Sequence, residues 1–224
     1  VADTAREVWL VMVGQAQSAQ WHEWWHQLRS TDSLARAIEL SIVEYETVNV
    51  DDLALFFDTQ AVHPSRIIDA TYSSNDGVSS QHAYHRADLL RNLLQYLQTL
   101  PTERQFALDL ITQQSQGVTC ESSVCFASTV KNPCDAVVWG MGRVAMNEFS
   151  GIDIRLIDIE PSCLALSSQP LLFEELFRPI EGEAEIFLHQ QKRFVNRLMP
   201  LKPLAKNELC QPDDTITYLD VPVS

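Results

Sequence analysis

The chain has 224 residues, 46% of them hydrophobic and 21% charged, with a formal net charge of −14. That length holds one large domain with a core of its own. The acid excess excludes a nucleic-acid groove, which needs clustered Lys and Arg. No apolar run approaches the roughly 20 residues that cross a bilayer, so no membrane partner is expected. Five cysteines, Cys120, Cys125, Cys134, Cys163 and Cys210, are odd in number and scattered, without a C-x-x-C pair. They argue against a disulfide framework and for a reducing cytoplasm. The chain opens on Val1 without a signal-type segment, as a piece of a longer polypeptide would.

In chain order, Val8 to Gly14 is an apolar run closed by glycine, the pattern of a buried parallel strand entering a crossover. The turn that follows, Gly14-Gln15-Ala16-Gln17, has one glycine only. An alanine stands where a dinucleotide turn must let its backbone meet phosphate, so no working cofactor turn is expected here. Trp21 to Leu28 predicts a helix and contains a literal H-E-x-x-H, His22-Glu23-Trp24-Trp25-His26. On a helix that spacing puts two imidazoles on one face as zinc ligands with a glutamate as general base. A zinc hydrolase would need a third ligand, for which Glu39, Glu44 or Glu46 is available. The competing expectation is a surface helix with solvated histidines and packed tryptophans, and no metal.

Residues 37–43 predict a second strand, Asp51 to Phe57 a short helix, and Ser65 to Tyr72 a third strand. The polar stretch Ser73 to Ser80 predicts a loop. His82 to Leu100 is the clearest helix, with Ala83, Ala87, Leu90, Leu93, Leu94 and Leu97 on one face and Pro101 after it. His82 and His85 are expected to be solvated in its first turn. Phe106 to Thr112 predicts a strand and Gln113 to Ser128 a polar loop. Strands at Ile154 to Ile159 and Glu185 to Leu188, and a helix at Leu171 to Phe177, follow. Alternation at crossover spacing is the signature of an α/β fold with a doubly wound parallel sheet.

The run Ala136-Val137-Val138-Trp139-Gly140-Met141-Gly142-Arg143-Val144-Ala145 has two chemical meanings. Gly140, Gly142 and Ala145 fit the dinucleotide fingerprint G-x-G-x-x-A, with Asp158 and Glu160 about twenty residues on as ribose partners. The fingerprint needs a helix that opens at the glycines. Asn132-Pro133, however, fits N-cap and N1, and the apolar residues from Val137 onward already recur at helical spacing. That puts both glycines inside a helix, where they signal close packing.

The same run, with Glu148 after it, resembles the A-x-W-G-x-G-R-x-x-x-x-E helix of the ketoreductase structural subdomain of modular polyketide synthases, related to that of animal fatty acid synthase. The resemblance continues through Leu156-Ile157-Asp158-Ile159 and through Glu183-Ala184-Glu185 to Arg193-Phe194-Val195-Asn196-Arg197-Leu198. His189 departs from the pattern, standing where the family has an arginine.

The resemblance implies a truncated Rossmann-like subdomain over residues 1–200, and the prolines and polar spacers after it suit a linker over 201–224 towards a following domain. It implies no cofactor, no catalytic residue and no metal in this chain. It also implies a place in a multifunctional enzyme of polyketide or fatty acid biosynthesis. The implied partner is a catalytic ketoreductase subdomain carrying the NADPH turn. Enoylreductase, dehydratase or methyltransferase domains would be neighbours, and the phosphopantetheine-bearing acyl carrier protein an indirect partner. A pseudo-ketoreductase paired with a methyltransferase is equally compatible.

Absences in the sequence agree with this. Short-chain reductases protonate substrate from a tyrosine whose pKa is lowered by a lysine four residues on. Here Tyr45, Tyr72, Tyr84, Tyr96 and Tyr218 are followed at that offset by Asn49, Asp76, Asp88, Leu100 and Pro222. The alternatives left open are an NADPH-dependent reductase using Gly140 and Gly142, and the zinc hydrolase.

Overall fold

The computed structural model describes residues 7–44, 55, 57, 64–72, 79–100, 106–117, 130–164, 171–180 and 182–196. In chain order they form β1 (Glu7–Val13), α1 (Gln15–Thr31), α2 (Ser33–Ala37), β2 (Ile38–Glu44), β3 (Arg66–Ala70), α3 (Ser80–Thr99) and β4 (Phe106–Gln113). Then come α4 (Ala136–Glu148), β5 (Ile152–Ile159), α5 (Leu171–Phe177), β6 (Glu185–His189) and β7 (Lys192–Val195).

β1 is buried along almost its whole length because it is central, paired in parallel with β2 on one side and β3 on the other. The sheet order is β2-β1-β3-β4-β5-β6-β7, parallel throughout except for the β6–β7 hairpin. Strand order reverses between β1 and β3, the switch point of a doubly wound α/β sheet. Among the described residues two strands, β1 and β2, lie on one side of the switch point, where the 3-2-1-4-5-6 Rossmann order has three.

The two-residue period of the strands divides the core. Val11, Val13, Ile68, Ile111 and Ile157 face α1 and α5, whose Trp21, Trp24, Phe173 and Leu176 cover them. Trp21 and Trp24 meet edge-on at 5.7 Å, and both meet Phe173 edge-on, at 5.6 and 5.7 Å. Leu10, Met12, Ile67, Leu108 and Leu156 face the opposite layer, α3 and α4, through Leu90, Leu93, Val138 and Trp139.

Boundaries depart from expectation where caps decide them. α1 starts at Gln15, directly after Gly14, six residues before the apolar periodicity begins. α2, capped by the Asp32 carboxylate accepting from Leu34 N, is too short to leave a periodic signal. α3 starts at Ser80 because the Ser79 hydroxyl accepts from His82 N at 3.1 Å. Asn132 does not cap with its side chain; Pro133–Asp135 form a 3-10 turn before α4. The helix expected over 51–57 is described only at Leu55 and Phe57, both helical. The loop at 73–78, Cys120, Cys125, Cys210 and the linker at 201–224 lie outside the described residues. No described helix is long and apolar enough to cross a membrane.

Candidate functional site

In an open α/β sheet a ligand sits outside the carboxyl ends of the strands, at the switch point. Here that point lies between the ends of β1 and β3, beneath the first turn of α1. Gln17 is buried there and donates from Nε2 to the Tyr72 carbonyl at 2.9 Å, tying α1 to the end of β3. Its amide folds back over Gly14, where an added Cβ would stand 2.4 Å from Gln17 Oε1. The glycine therefore makes room for a side chain of this chain. In a dinucleotide turn the same absence of Cβ makes room for a phosphate.

Tyr72 is the tyrosine at this point. Burial pushes its phenol above the ordinary value of 10, against smaller lowering influences from Trp21 and Arg86. A tyrosine serving as proton donor needs the opposite shift.

One strand further along lies a buried ionic cluster. Arg86 of α3 is fully buried, pairing through Nη1 with Asp135 Oδ1 at 2.9 Å and through Nη2 with Asp69 Oδ2 at 3.3 Å. Nη2 also donates to the Ile111 carbonyl at 2.9 Å. Asp69 Oδ1 accepts from Thr71 N and Oγ1, and Asp135 Oδ2 from Gln113 N. Burial opposes the guanidinium charge, yet Asp69 and Asp135 outweigh it and raise the Arg86 pKa. His82 is half-buried beside Arg86, correcting the expectation of a solvated side chain. Burial, with the Arg86 charge, lowers its pKa. His85 is exposed as expected.

The third group centres on Asp158. Its carboxylate accepts from Thr112 Oγ1 at 2.6 Å, from Ser115 N and Oγ at 3.0 and 2.9 Å, and from Gln116 N at 3.2 Å. Burial raises its pKa, and the bonds from Thr112 and Ser115 partly offset this. Trp139 Nε1 donates to Thr112 Oγ1 at 2.7 Å, closing the network against α4. Glu160 accepts from His189 Nδ1 at 3.2 Å and from Gln190 N at 2.9 Å.

The motifs of the sequence fall as follows. Gly140 and Gly142 are the fifth and seventh residues of α4. Only the first four N–H groups of a helix are free, so neither glycine can cradle a pyrophosphate. Gly142 is packed instead, since an added Cβ would lie 2.4 Å from Leu156 Cδ2 and 3.1 Å from Leu110 Cδ1. Asp158 and Glu160, the ribose candidates, are engaged within the chain as described. His22, Glu23 and His26 are exposed on α1, whose Trp21 and Trp24 take the inward face. Among the described residues no three His, Cys, Asp or Glu are grouped to hold a metal ion. Glu39 and Glu44 are on β2, and Glu46 lies outside the described residues.

The Trp139–Arg143 segment and the Glu185–Asn196 segment meet. Arg143 of α4 grips Glu185 of β6 through Nε and Nη2, both at 2.7 Å, and Asn196 Nδ2 also donates to that carboxylate. These bonds outweigh the cost of burial and hold the Glu185 pKa below its ordinary value. Trp139 stacks on Phe187 at 5.0 Å, and Arg143 lies over the Trp139 ring at 5.5 Å.

Gln17, Asp69 and Arg86 were not singled out from the sequence. Arg86 had a signal: it stands on the stripe of Leu90, Leu93 and Leu97, where a charge is affordable only if paired in the interior.

No family model matches the chain, and no curated protein is similar to it. Solved structures match it distantly. A small-chain dehydrogenase is 16% identical, with a TM-score of 0.46 over 77% of this chain and 90% of its own. A short-chain dehydrogenase from Burkholderia cenocepacia, in complex with NADP, is 11% identical, with a TM-score of 0.49 over 80% and 87%. A short-chain dehydrogenase/reductase from Vibrio parahaemolyticus is 13% identical, with a TM-score of 0.46 over 80% and 98%. By its own sheet order the chain is an α/β protein with a Rossmann-like, doubly wound sheet.

Proposed function

We propose that this chain is the structural, noncatalytic half of a ketoreductase region in a polyketide or fatty acid synthase. Its job on this reading is to pack on and position a catalytic ketoreductase subdomain or a neighbouring domain. The observation that carries the reading is the switch point, where Gln17 spans from α1 to the Tyr72 carbonyl across the place a dinucleotide phosphate would need. The absence of any Tyr-x-x-x-Lys from the 224 residues supports it from the side of proton transfer. The joining of both halves of the family motif through Arg143 and Glu185 supports the resemblance itself. A reducing cytoplasm is the setting the reading implies. Residues 201–224 would lead to the next domain, and the acyl carrier protein would be met only through the partner.

Two measurements test this. Titration of the chain with NADPH, followed by nicotinamide fluorescence, should give no saturable signal; clear micromolar binding would favour an independent reductase instead. Adding the chain to the separately produced catalytic subdomain of the same polypeptide should raise that subdomain's thermal stability and its ketone-reducing activity. No change in either would count against the scaffold role.

A further inference from the structure

The outward face of α1 carries a motif of the sequence that the scaffold reading leaves unused. His22 and His26 are the eighth and twelfth residues of that helix, away from the ends, where helices fray. Both are exposed, and both line one shallow depression of about 500 Å³ with Trp25, Arg29 and Ser30.

The helix beneath them is fixed. Trp21, Trp24 and Leu28 are buried on its opposite side, and the two indoles meet Phe173 of α5 edge-on at 5.6 and 5.7 Å. α1 is thereby held against rolling, and the two imidazoles stay one turn apart on the same side. Residues four apart on a helix have Cβ atoms about 5–6 Å apart. A metal ion bound to two imidazoles at about 2.0–2.1 Å needs their ring nitrogens about 3 Å from each other, which staggered rotamers reach from that spacing.

We infer that His22 and His26 chelate one divalent transition-metal ion on the surface of α1, with water in its remaining positions. The inference is independent of the scaffold reading and goes beyond the family resemblance, which implies no metal. A pair of imidazoles without a carboxylate selects Cu²⁺, Ni²⁺ or Zn²⁺ over Mg²⁺ or Ca²⁺. Glu23 lies about 60–100° round the helix from the pair, outside the depression they line. Glu39 and Glu44 stand in the sheet, on the far side of the helix. A catalytic zinc has three protein ligands, so this pair holds an exchangeable ion and not a hydrolytic one. Arg29, one turn beyond His26, opposes a cation, but it is exposed and salt screens its charge. The net charge of −14 on the whole chain acts in the ion's favour.

The test is isothermal titration of the whole chain with NiCl2, ZnCl2 and MgCl2. Ni²⁺ and Zn²⁺ should each fill a site of one ion per chain, and Mg²⁺ should give no heat of binding. His22→Ala and His26→Ala should each weaken that site about tenfold or more, because losing a direct ligand costs at least what losing an outer partner of one costs. Both changes are on the surface and should leave the Tm without metal unaltered. With Zn²⁺ at about a hundred times Kd the wild-type Tm should rise by about 5 °C or more, and either variant should lose that rise. His85→Ala, at an exposed histidine of α3, should change neither readout. A wild-type chain that binds neither ion would overturn the inference. Binding that neither variant weakens, or only one of them, would also overturn it, since a chelate needs both imidazoles. One ion per two chains would make the pair half of a bridge between copies and overturn the single-chain site.

Discussion

Arg86 shows what a single buried charge demands. Its guanidinium is satisfied by two carboxylates and a carbonyl from β3, β4 and the turn before α4, so replacing it by methionine strands Asp69 and Asp135. Arg86→Met is expected to cost about 3–5 kcal/mol in urea unfolding. Gly142→Ala should cost about 1–3 kcal/mol in the same unfolding measurement by overpacking against Leu156. His82 sets a pH dependence. Its folded-state pKa lies below the ordinary 6.5, so its contribution to stability is complete above pH 6.5 and is lost as pH falls through the lower folded value. A plot of Tm against pH should therefore fall less steeply below 6.5 in His82→Gln than in the wild-type chain.

At the scale of elements, α4 is held to the sheet by Trp139, Arg143 and Gly142, three residues with three kinds of contact. Trp139→Phe keeps the stacking on Phe187 but loses the bond to Thr112 Oγ1. A loss of about 1–2 kcal/mol in denaturant melts is expected, because Ser115 Oγ still reaches that oxygen. The Arg143–Glu185 pair is largely exposed on the arginine side, so it is worth less than about 1 kcal/mol despite its bidentate geometry.

The existence of these elements was legible beforehand: β1, β3, β4 and β5 are short apolar runs, and α3 and α4 carry a helical period. The starts of α1 and α3 were less so. A cap such as Ser79, or a glycine passing straight from strand to helix at Gly14, decides a boundary without leaving a periodic trace.

For the whole molecule, the doubly wound sheet follows from the alternation of strands and helices at crossover spacing. The sequence by itself determined that alternation, and with it the parallel sheet, because hydrophobic period is a local property of the chain. It also excluded a Tyr-x-x-x-Lys proton donor, since the offset between two residues is fixed by covalent order. Only the tertiary structure decided what fills the switch point, what Arg86 pairs with, and which of two neighbouring glycines faces the sheet. Gln17 meets the carbonyl of a residue 55 positions away, and Gly140 differs from Gly142 only in which side of one helix is turned inward. Such roles depend on which distant segments come together, and no local pattern carries that information.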